Sequence, residues 1–230
     1  MRADVLRAVT YNVRGFRDGR VRVAAVVRKL DPDVLLLQET GSRRDLRRFA
    51  DDVGMVVARD PWSPLRRRVK NAVLLAEPWR IGSVELHRFP KARRWYPRGA
   101  LVVRATADAE TVWAVSVHFG LEGAERAGQA ASLTALVKTF DGGSSIVGGD
   151  LNATPDMRAT ARIAATLRDA WSHAGRGDGL TFPAAAPTAR IDYVFVGDAS
   201  TIVRAAVGAE GASKASDHLP VVVDLRMRRA

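Results

Sequence analysis

The feature that most constrains the fold of this chain is a series of short apolar runs with few polar alternations. Residues 34–37 read Val-Leu-Leu-Leu, and residues 112–117 and 221–225 are similar. Successive side chains of a strand point to opposite faces, so such strands need apolar cover on both sides. Many of the runs are near neighbours in the sequence, which favours antiparallel or mixed sheets over a doubly wound parallel sheet. Two sheets packed face to face, with helices outside, satisfy both conditions.

The spacing of apolar residues predicts where the main elements lie. Helical spacing predicts a helix through residues 23–30 that ends at Asp31-Pro32, and further helices over residues 43–50 and 129–140. The apolar runs predict strands at residues 5–11, 34–37, 55–58, 72–76, 101–104, 112–117, 146–147, 191–196, 202–207 and 221–225. Strands therefore outnumber helices in the predicted fold.

Composition and the N-terminus exclude several classes of protein. The chain has 230 residues and no cysteine, which excludes disulfides, thiolate nucleophiles and cysteine-ligated zinc. No linker, repeat or low-complexity stretch marks a boundary, so we predict one domain over residues 1–230. The N-terminus carries no long apolar segment that would form a signal peptide or a membrane span. We therefore expect a cytoplasmic protein, and we expect it to be a monomer.

The chain is strongly basic, with a formal net charge of +11. Its arginines and lysines cluster at residues 43–48, 66–70 and 91–98. A basic surface attracts polyanions through their phosphates. The excess of arginine over lysine and the abundance of alanine also fit a GC-rich genome. The charge therefore supports a phosphate-bearing substrate without choosing one.

Polar residues follow or end many of the apolar runs. They are Asn12, Glu39, His118, Asp150 with Asn152, Asp192, and Asp217 with His218. A single Asn or Asp at a strand end is commonly a cap or turn residue. If these ends converge, they form a carboxylate-rich pocket with two imidazoles. Oxygen ligands without cysteine suit a hard cation such as Mg²⁺ or Mn²⁺.

Spacing suggests how these groups work together. Asp150 and Asn152 are two residues apart, so in an extended segment they point the same way and can hold a water beside a metal. Asp192 can orient the ring of His218 and raise its basicity. His118 ends a strand, where it is either a site residue or a structural histidine at the sheet edge.

The ordered set of motifs resembles the endonuclease/exonuclease/phosphatase superfamily, which includes deoxyribonuclease I, abasic-site endonucleases, neutral sphingomyelinases and inositol polyphosphate phosphatases. The motifs span almost the whole chain: Thr10-Tyr11-Asn12, Leu37-Gln38-Glu39-Thr40, Ser116-Val117-His118, Gly149-Asp150-Leu151-Asn152, Arg190-Ile191-Asp192-Tyr193 and Ser216-Asp217-His218-Leu219-Pro220. The resemblance implies a four-layer α/β/β/α sandwich with two mixed sheets between helical layers. That architecture agrees with the one reached from the apolar runs.

The resemblance also implies a ligand set and a reaction. Asn12 and Glu39 look like ligands of the main divalent metal, Mg²⁺ or Mn²⁺, with Asp217 near it. Asp150 and Asn152 would position or activate the attacking water, or bind a second metal. The implied activity is metal-assisted hydrolysis of a phosphate ester by in-line attack of water.

Further residues follow from the same resemblance. Asp192 and His218 look like the carboxylate–histidine pair at the reacting phosphate. His118 looks like the second histidine of deoxyribonuclease- and sphingomyelinase-like members, which points away from abasic-site endonucleases. Arg98 lies where nuclease-like members can carry a phosphate-contacting arginine. Asn71 is a further candidate at the substrate side of the site, where it could orient His118.

Three substrate hypotheses remain open. A nuclease acting on DNA or RNA is favoured by the basic clusters and by residues 91–98, which mix cations with Trp95 and Tyr96. A phosphatase or phosphodiesterase of a lipid head group or small phosphate ester would use the same basic loop. A non-catalytic phosphate-binding module ranks last, because every matched position is chemically competent. We expect residues 59–70 and 87–98 to set specificity.

Overall fold

The computed structural model describes residues 5–61, 67–90 and 96–227, and within them it contains two mixed sheets of six strands each. In spatial order the first sheet consists of β11 (Ser200–Val207), β12 (Val221–Met227), β1 (Leu6–Asn12), β2 (Val34–Gln38), β4 (Ala72–Leu75) and β3 (Val56–Arg59). The second consists of β5 (Arg80–Arg88), β6 (Gly99–Ala107), β7 (Glu110–His118), β8 (Ser144–Asp150), β10 (Asp192–Val196) and β9 (Arg168–Asp169). In each sheet one adjacent pair, β1–β2 and β7–β8, is parallel, and the remaining pairs are antiparallel.

Helices cover the outer faces of both sheets. They are α1 (Arg20–Leu30), α2 (Arg43–Val53), α3 (Gly123–Val137) and α4 (Arg158–Ala164). The short helix α5 (Ala170–Ala174) packs against the central layer, and 3₁₀ turns lie at Arg14–Phe16 and Ala212–Lys214. In the described parts of the chain, no helix has the length and hydropathy needed to cross a bilayer.

Three apolar layers hold the sandwich together. The central layer lies between the sheets, where Leu36 and Val73 face Leu101 and Ile146. A second layer packs α1 and α2 against the first sheet, and a third packs α3 and α4 against the second sheet. All five residues of β2 are buried, as its continuous apolar sequence predicts. The predicted four-layer sandwich is therefore confirmed.

Strands β8, β5 and the two-residue β9 differ from the sequence predictions, which contain no strand at β5 or β9. We expected a strand at residues 146–147 that stopped before the glycines, but β8 continues through Gly148 and Gly149 to Asp150. Glycine is required there because a Cβ on Gly148 would lie 2.6 Å from Leu36 Cδ1, across the central layer. None of the nine residues of β5 is buried, and the strand carries no apolar pattern that predicts it. Residues 62–66 and 91–95, within the expected specificity segments, lie outside the described residues.

The register of the second sheet determines where the polar residues meet. His118 at the end of β7 pairs with Asp150 at the end of β8 in parallel register. Asp192 at the start of β10 pairs with the same Asp150 in antiparallel register. Paired residues on neighbouring strands point to the same face of a sheet. Three candidate side chains therefore form a row at one end of the sandwich, which we call the site end.

Replacing Gly148 with alanine should destabilise the protein. The new methyl group would press against Leu36 and Thr10, and overpacking of this kind typically costs about 1–3 kcal/mol. Gly128→Ala is the matched control, because nothing lies near its Cβ position in α3 and alanine favours helix by about 1 kcal/mol. Urea unfolding of both variants tests this, and equal stability of Gly148→Ala and the wild type would contradict it.

Candidate active site

The carboxylate of Asp150 lies at the centre of the site end. Its Oδ2 accepts a hydrogen bond from Asn12 Nδ2 of the opposite sheet at 3.0 Å. The same oxygen lies 3.4 Å from His118 Nε2 and 3.7 Å from His218 Nε2. Its Oδ1 accepts the backbone N–H of Asn152 at 2.9 Å. The structure thus brings four other predicted site residues together around the Asp150 carboxylate.

Burial sets the proton affinity of Asp150. Burial raises its pKa, and the neighbouring Asp192 adds to the effect, so the pKa is about 7 even though His218, Asn152 and Asn12 oppose the rise. A carboxylate with this pKa can both release and accept a proton near neutral pH.

His218 is held by a carboxylate, as predicted. Its Nδ1 lies 2.9 Å from Asp192 Oδ2, and the ring of Phe182 packs against it at a centroid distance of 4.8 Å. Thr181 Oγ1 accepts the backbone N–H of Asp192 and so fixes the start of β10. Burial alone would lower the pKa of His218, but the charge and hydrogen bond of Asp192, with Asp150 and Asp217, raise it to about 9. His218 is therefore an imidazolium at neutral pH.

His118 has the opposite kind of partner. Arg98 Nη1 donates to His118 Nδ1 at 2.8 Å. Burial and then the positive charges of Arg98 and His218 lower the pKa of His118 well below its usual range, so its ring is neutral. Asn152 Nδ2 donates to the Phe119 carbonyl at 3.0 Å and lies 3.4 Å from His118 Nε2. The N–H groups of His118 Nε2 and Asn152 Nδ2 therefore lie close together beside Asp150.

The predicted metal ligands lie on the first sheet and on the loop before β12. Glu39 follows β2 in a left-handed conformation with a φ of 54°, and its carboxylate makes no hydrogen bond or ion pair with any residue in the described parts of the chain. Asn12 Oδ1 accepts the backbone N–H of Arg14 at 3.0 Å. The carboxylate of Asp217 forms an ion pair with Arg14 Nε at 3.1 Å.

The donor set at the site end fits a hard cation. Asp150, Asp192 and His218 each place one potential ligand atom within 4.8 Å of the others, and His218 Nδ1 lies 2.9 Å from Asp192 Oδ2. Asp192 Oδ1 is buried and has no hydrogen-bond partner within residues 5–61, 67–90 and 96–227. Buried carboxylates are costly unless a positive charge offsets them. A cation held by Asp150 and Asp192 would supply such a charge.

Asn71 lies behind the site, and its side chain is fully buried. Its Nδ2 donates to the carbonyls of Gly99 at 3.0 Å and Ser116 at 2.9 Å. These carbonyls lie one residue after Arg98 and two residues before His118. Asn71 therefore links the start of β6, next to Arg98, to β7, which ends at His118. Its contact with substrate stays a prediction.

Three residues at the site were not singled out from the sequence. Ser216 Oγ donates to the Asn12 carbonyl at 2.7 Å, and Arg14 contacts both Asn12 and Asp217. The position of Ser216 beside Asp217-His218 is a signal that could have found it. Neither Arg14 nor Phe182 stands in a pattern that predicts its contact, because each reaches the site through a loop.

At one end of the four-layer sandwich, a buried carboxylate therefore lies between two imidazoles. The chain belongs to the endonuclease/exonuclease/phosphatase family, whose model matches residues 9–218. It is 29% identical over 137 residues to the uncharacterized protein YbhP of Escherichia coli K12, and the match covers 56% of this chain and 53% of YbhP. The chain thus spans about half the length of the curated relatives it matches.

Solved structures share the fold along nearly the whole chain. An endonuclease/exonuclease/phosphatase from Bacteroides vulgatus superposes with a TM-score of 0.81 at 19% identity, covering 97% of this chain and 99% of the other. D. rerio TDP2, humanized by 14 mutations, gives 0.80 at 18% identity with coverage of 97% and 99%. A mannosyl-6-phosphatase from Bacteroides thetaiotaomicron gives 0.80 at 17% identity with coverage of 96% and 99%. At these identities the likeness shows the fold alone.

The charge on His218 should make the metal-free protein less stable as the pH rises. Because its folded pKa of about 9 lies above the ordinary 6.5, its stabilising contribution is complete below pH 6.5 and is lost as the pH rises to about 9. The loss amounts to about 3 kcal/mol at most. Urea unfolding in EDTA over this range should show a steeper decline for the wild type than for His218→Gln. Equal slopes in the two proteins would contradict the assigned charge.

Proposed function

We propose that the protein is a divalent-metal-dependent phosphodiesterase that hydrolyses nucleic acid by in-line attack of water. The observation that carries the proposal is the arrangement around Asp150: a carboxylate with a pKa of about 7 lies between a charged and a neutral imidazole. Such a site can accept the proton of an attacking water and donate hydrogen bonds to a phosphate.

Glu39 and Asn12, with Asp217 close by, would hold Mg²⁺ or Mn²⁺. Their oxygen atoms are the donors that such hard cations prefer. The bound ion would polarise a phosphoryl oxygen and offset the charge that develops on it. For Asp217 to join this set, its carboxylate would turn away from Arg14, which lies at the surface.

The protonation states favour separate roles for the site residues. Asp192 keeps His218 protonated, so Asp150 is the better acceptor for the proton of the attacking water. The charged ring of His218 would then donate to a phosphoryl oxygen. The N–H groups of His118 and Asn152 converge closely enough to donate to one developing oxyanion.

Removing either central group should abolish most turnover and leave the fold intact. General-base assistance is worth about 10²–10⁴ in rate, so Asp150→Asn and His218→Ala should each lower kcat by at least about 100-fold. Asp141→Asn is the matched control, because Asp141 lines the groove at the end opposite the site. Initial rates with circular dichroism spectra test this. Full activity in a folded Asp150→Asn or His218→Ala protein would contradict the assignment.

A nucleic-acid substrate is supported by the distribution of charge. The net charge is +11, yet the groove at the end opposite the site is lined by acidic residues, including Asp108, Glu110 and Asp141. A cavity of about 260 Å³, lined by Arg14 and Lys214 together with Asp18 and Asp217, can hold a group beside the scissile phosphate. A polyanion would therefore be attracted to the site end.

A small phosphate ester is the second candidate. The mannosyl-6-phosphatase of B. thetaiotaomicron shares the fold, and a cavity of about 260 Å³ suits a small substrate as well as part of a large one. Binding of a lipid head group would use the same cationic side chains, Arg14 and Lys214. A non-catalytic phosphate-binding module is the weakest reading, because it gives no role to Asp192, which braces His218.

A single panel separates these functions. The protein with Mg²⁺, and with EDTA as a control, is incubated with plasmid, single-stranded DNA, RNA, abasic duplex, inositol phosphates, lipid phosphates and sugar phosphates. A nuclease should cleave nucleic acid only with the metal, and its affinity should fall about tenfold or more as salt rises to physiological strength. If the protein releases inorganic phosphate from sugar phosphates alone, with little salt dependence, its function is that of a phosphatase and not of a nuclease. Binding of these compounds without turnover would contradict both proposed enzymatic functions.

A further inference from the structure

The two histidines of the site are backed by groups of opposite chemistry. His218 Nδ1 faces the carboxylate of Asp192, whereas His118 Nδ1 faces the guanidinium of Arg98 at 2.8 Å. A carboxylate accepts a proton from an imidazole, but a guanidinium has only donors. Nδ1 of His118 must therefore be the acceptor, and the ring proton of His118 lies on Nε2.

The position of that proton decides what His118 can do. With its Nδ1 lone pair engaged, the ring cannot gain a second proton without setting N–H against N–H. Its Nε2 lies 3.4 Å from Asp150 Oδ2 and 3.4 Å from the Asn152 amide nitrogen. His118 is thus a fixed donor of one hydrogen bond and not a carrier of protons.

We propose that Arg98 is a positioning residue that fixes the tautomer and the orientation of His118. Arg98 affects the reaction by orienting the imidazole of His118 and not by contacting the phosphate. The expected effect of Arg98 on the reaction rate rests on the proposed phosphoesterase function. The tautomer of His118 does not depend on that function.

The surrounding backbone holds Arg98 and His118 in register. Gly99, which follows Arg98, pairs with His118 across β6 and β7. A Cβ on Gly99 would lie 2.6 Å from the His87 carbonyl, so the three strands meet closely here. Asn71 adds hydrogen bonds to the carbonyls of Gly99 and Ser116. The fold therefore presets the contact between guanidinium and ring before any substrate arrives.

The tautomer can be read by nuclear magnetic resonance of protein labelled with ¹⁵N-histidine, in EDTA. In the wild type, His118 should show an unprotonated Nδ1 and a protonated Nε2. Arg98→Met removes the donor but keeps the aliphatic chain, so His118 should become a mixture of tautomers, and Arg98→Lys should restore the wild-type form in part. Arg104→Met, an exposed arginine farther along β6, should leave the spectrum unchanged. An unchanged His118 tautomer in a folded Arg98→Met protein would overturn the proposal.

Kinetics separate a positioning role from a phosphate contact. Loss of a group that orients a site residue typically costs about 10–100-fold in activity. Arg98→Met should lower kcat by about this factor with little change in KM, and Arg98→Lys should recover part of the loss. A raised KM with unchanged kcat would overturn the proposal and make Arg98 a phosphate contact. If the wild type hydrolyses no phosphate ester, the proposed function fails, while the resonance measurement still decides the role of Arg98.

Discussion

The contacts of the Asp150 carboxylate are the interaction on which the rest of this structure depends. It is almost fully buried, with 1% of its surface exposed, and it takes hydrogen bonds from both sheets. A buried carboxylate is stable only when donors or positive charges surround it. Asn12 supplies a donor from the first sheet, and His218 supplies a positive charge. The same groups that stabilise the carboxylate also form the candidate active site.

A buried polar network near the site end fixes how the two sheets lie against each other. Gln38 of the first sheet donates to Ser116 Oγ of the second at 3.1 Å, and Ser116 Oγ donates back to the Leu37 carbonyl at 2.8 Å. The central layer is otherwise largely apolar, and apolar contacts alone would tolerate small shifts between the sheets. Hydrogen bonds in a buried setting are directional and costly to leave unmade. They therefore align Asn12 on one sheet with Asp150 on the other.

Much of this arrangement could be predicted from the sequence, because it depends on patterns within short segments of the chain. Residues 34–37 are apolar without interruption, so they predict a strand covered on both faces, and Asp150 and His118 follow apolar runs. The ordered motifs then place the polar groups at one end. The contact of Arg98 with His118 and that of Phe182 with His218 could not be predicted, because they depend on loops brought together by distant strands. The extent of β8 was also missed, since Gly148 reads as a turn residue until Leu36 is known to face it.

The most direct test of the central claim is a crystal structure of the protein with Mn²⁺ and a phosphorothioate dinucleotide that resists hydrolysis. Anomalous scattering locates the manganese, and the electron density locates the phosphorus. We predict manganese in contact with Glu39, and a phosphorothioate group that accepts hydrogen bonds from His118 Nε2 and His218 Nε2. Manganese or dinucleotide bound only away from the site end, for example in the acidic groove at the opposite end, would contradict the claim that Asp150 lies at the centre of a phosphoesterase site.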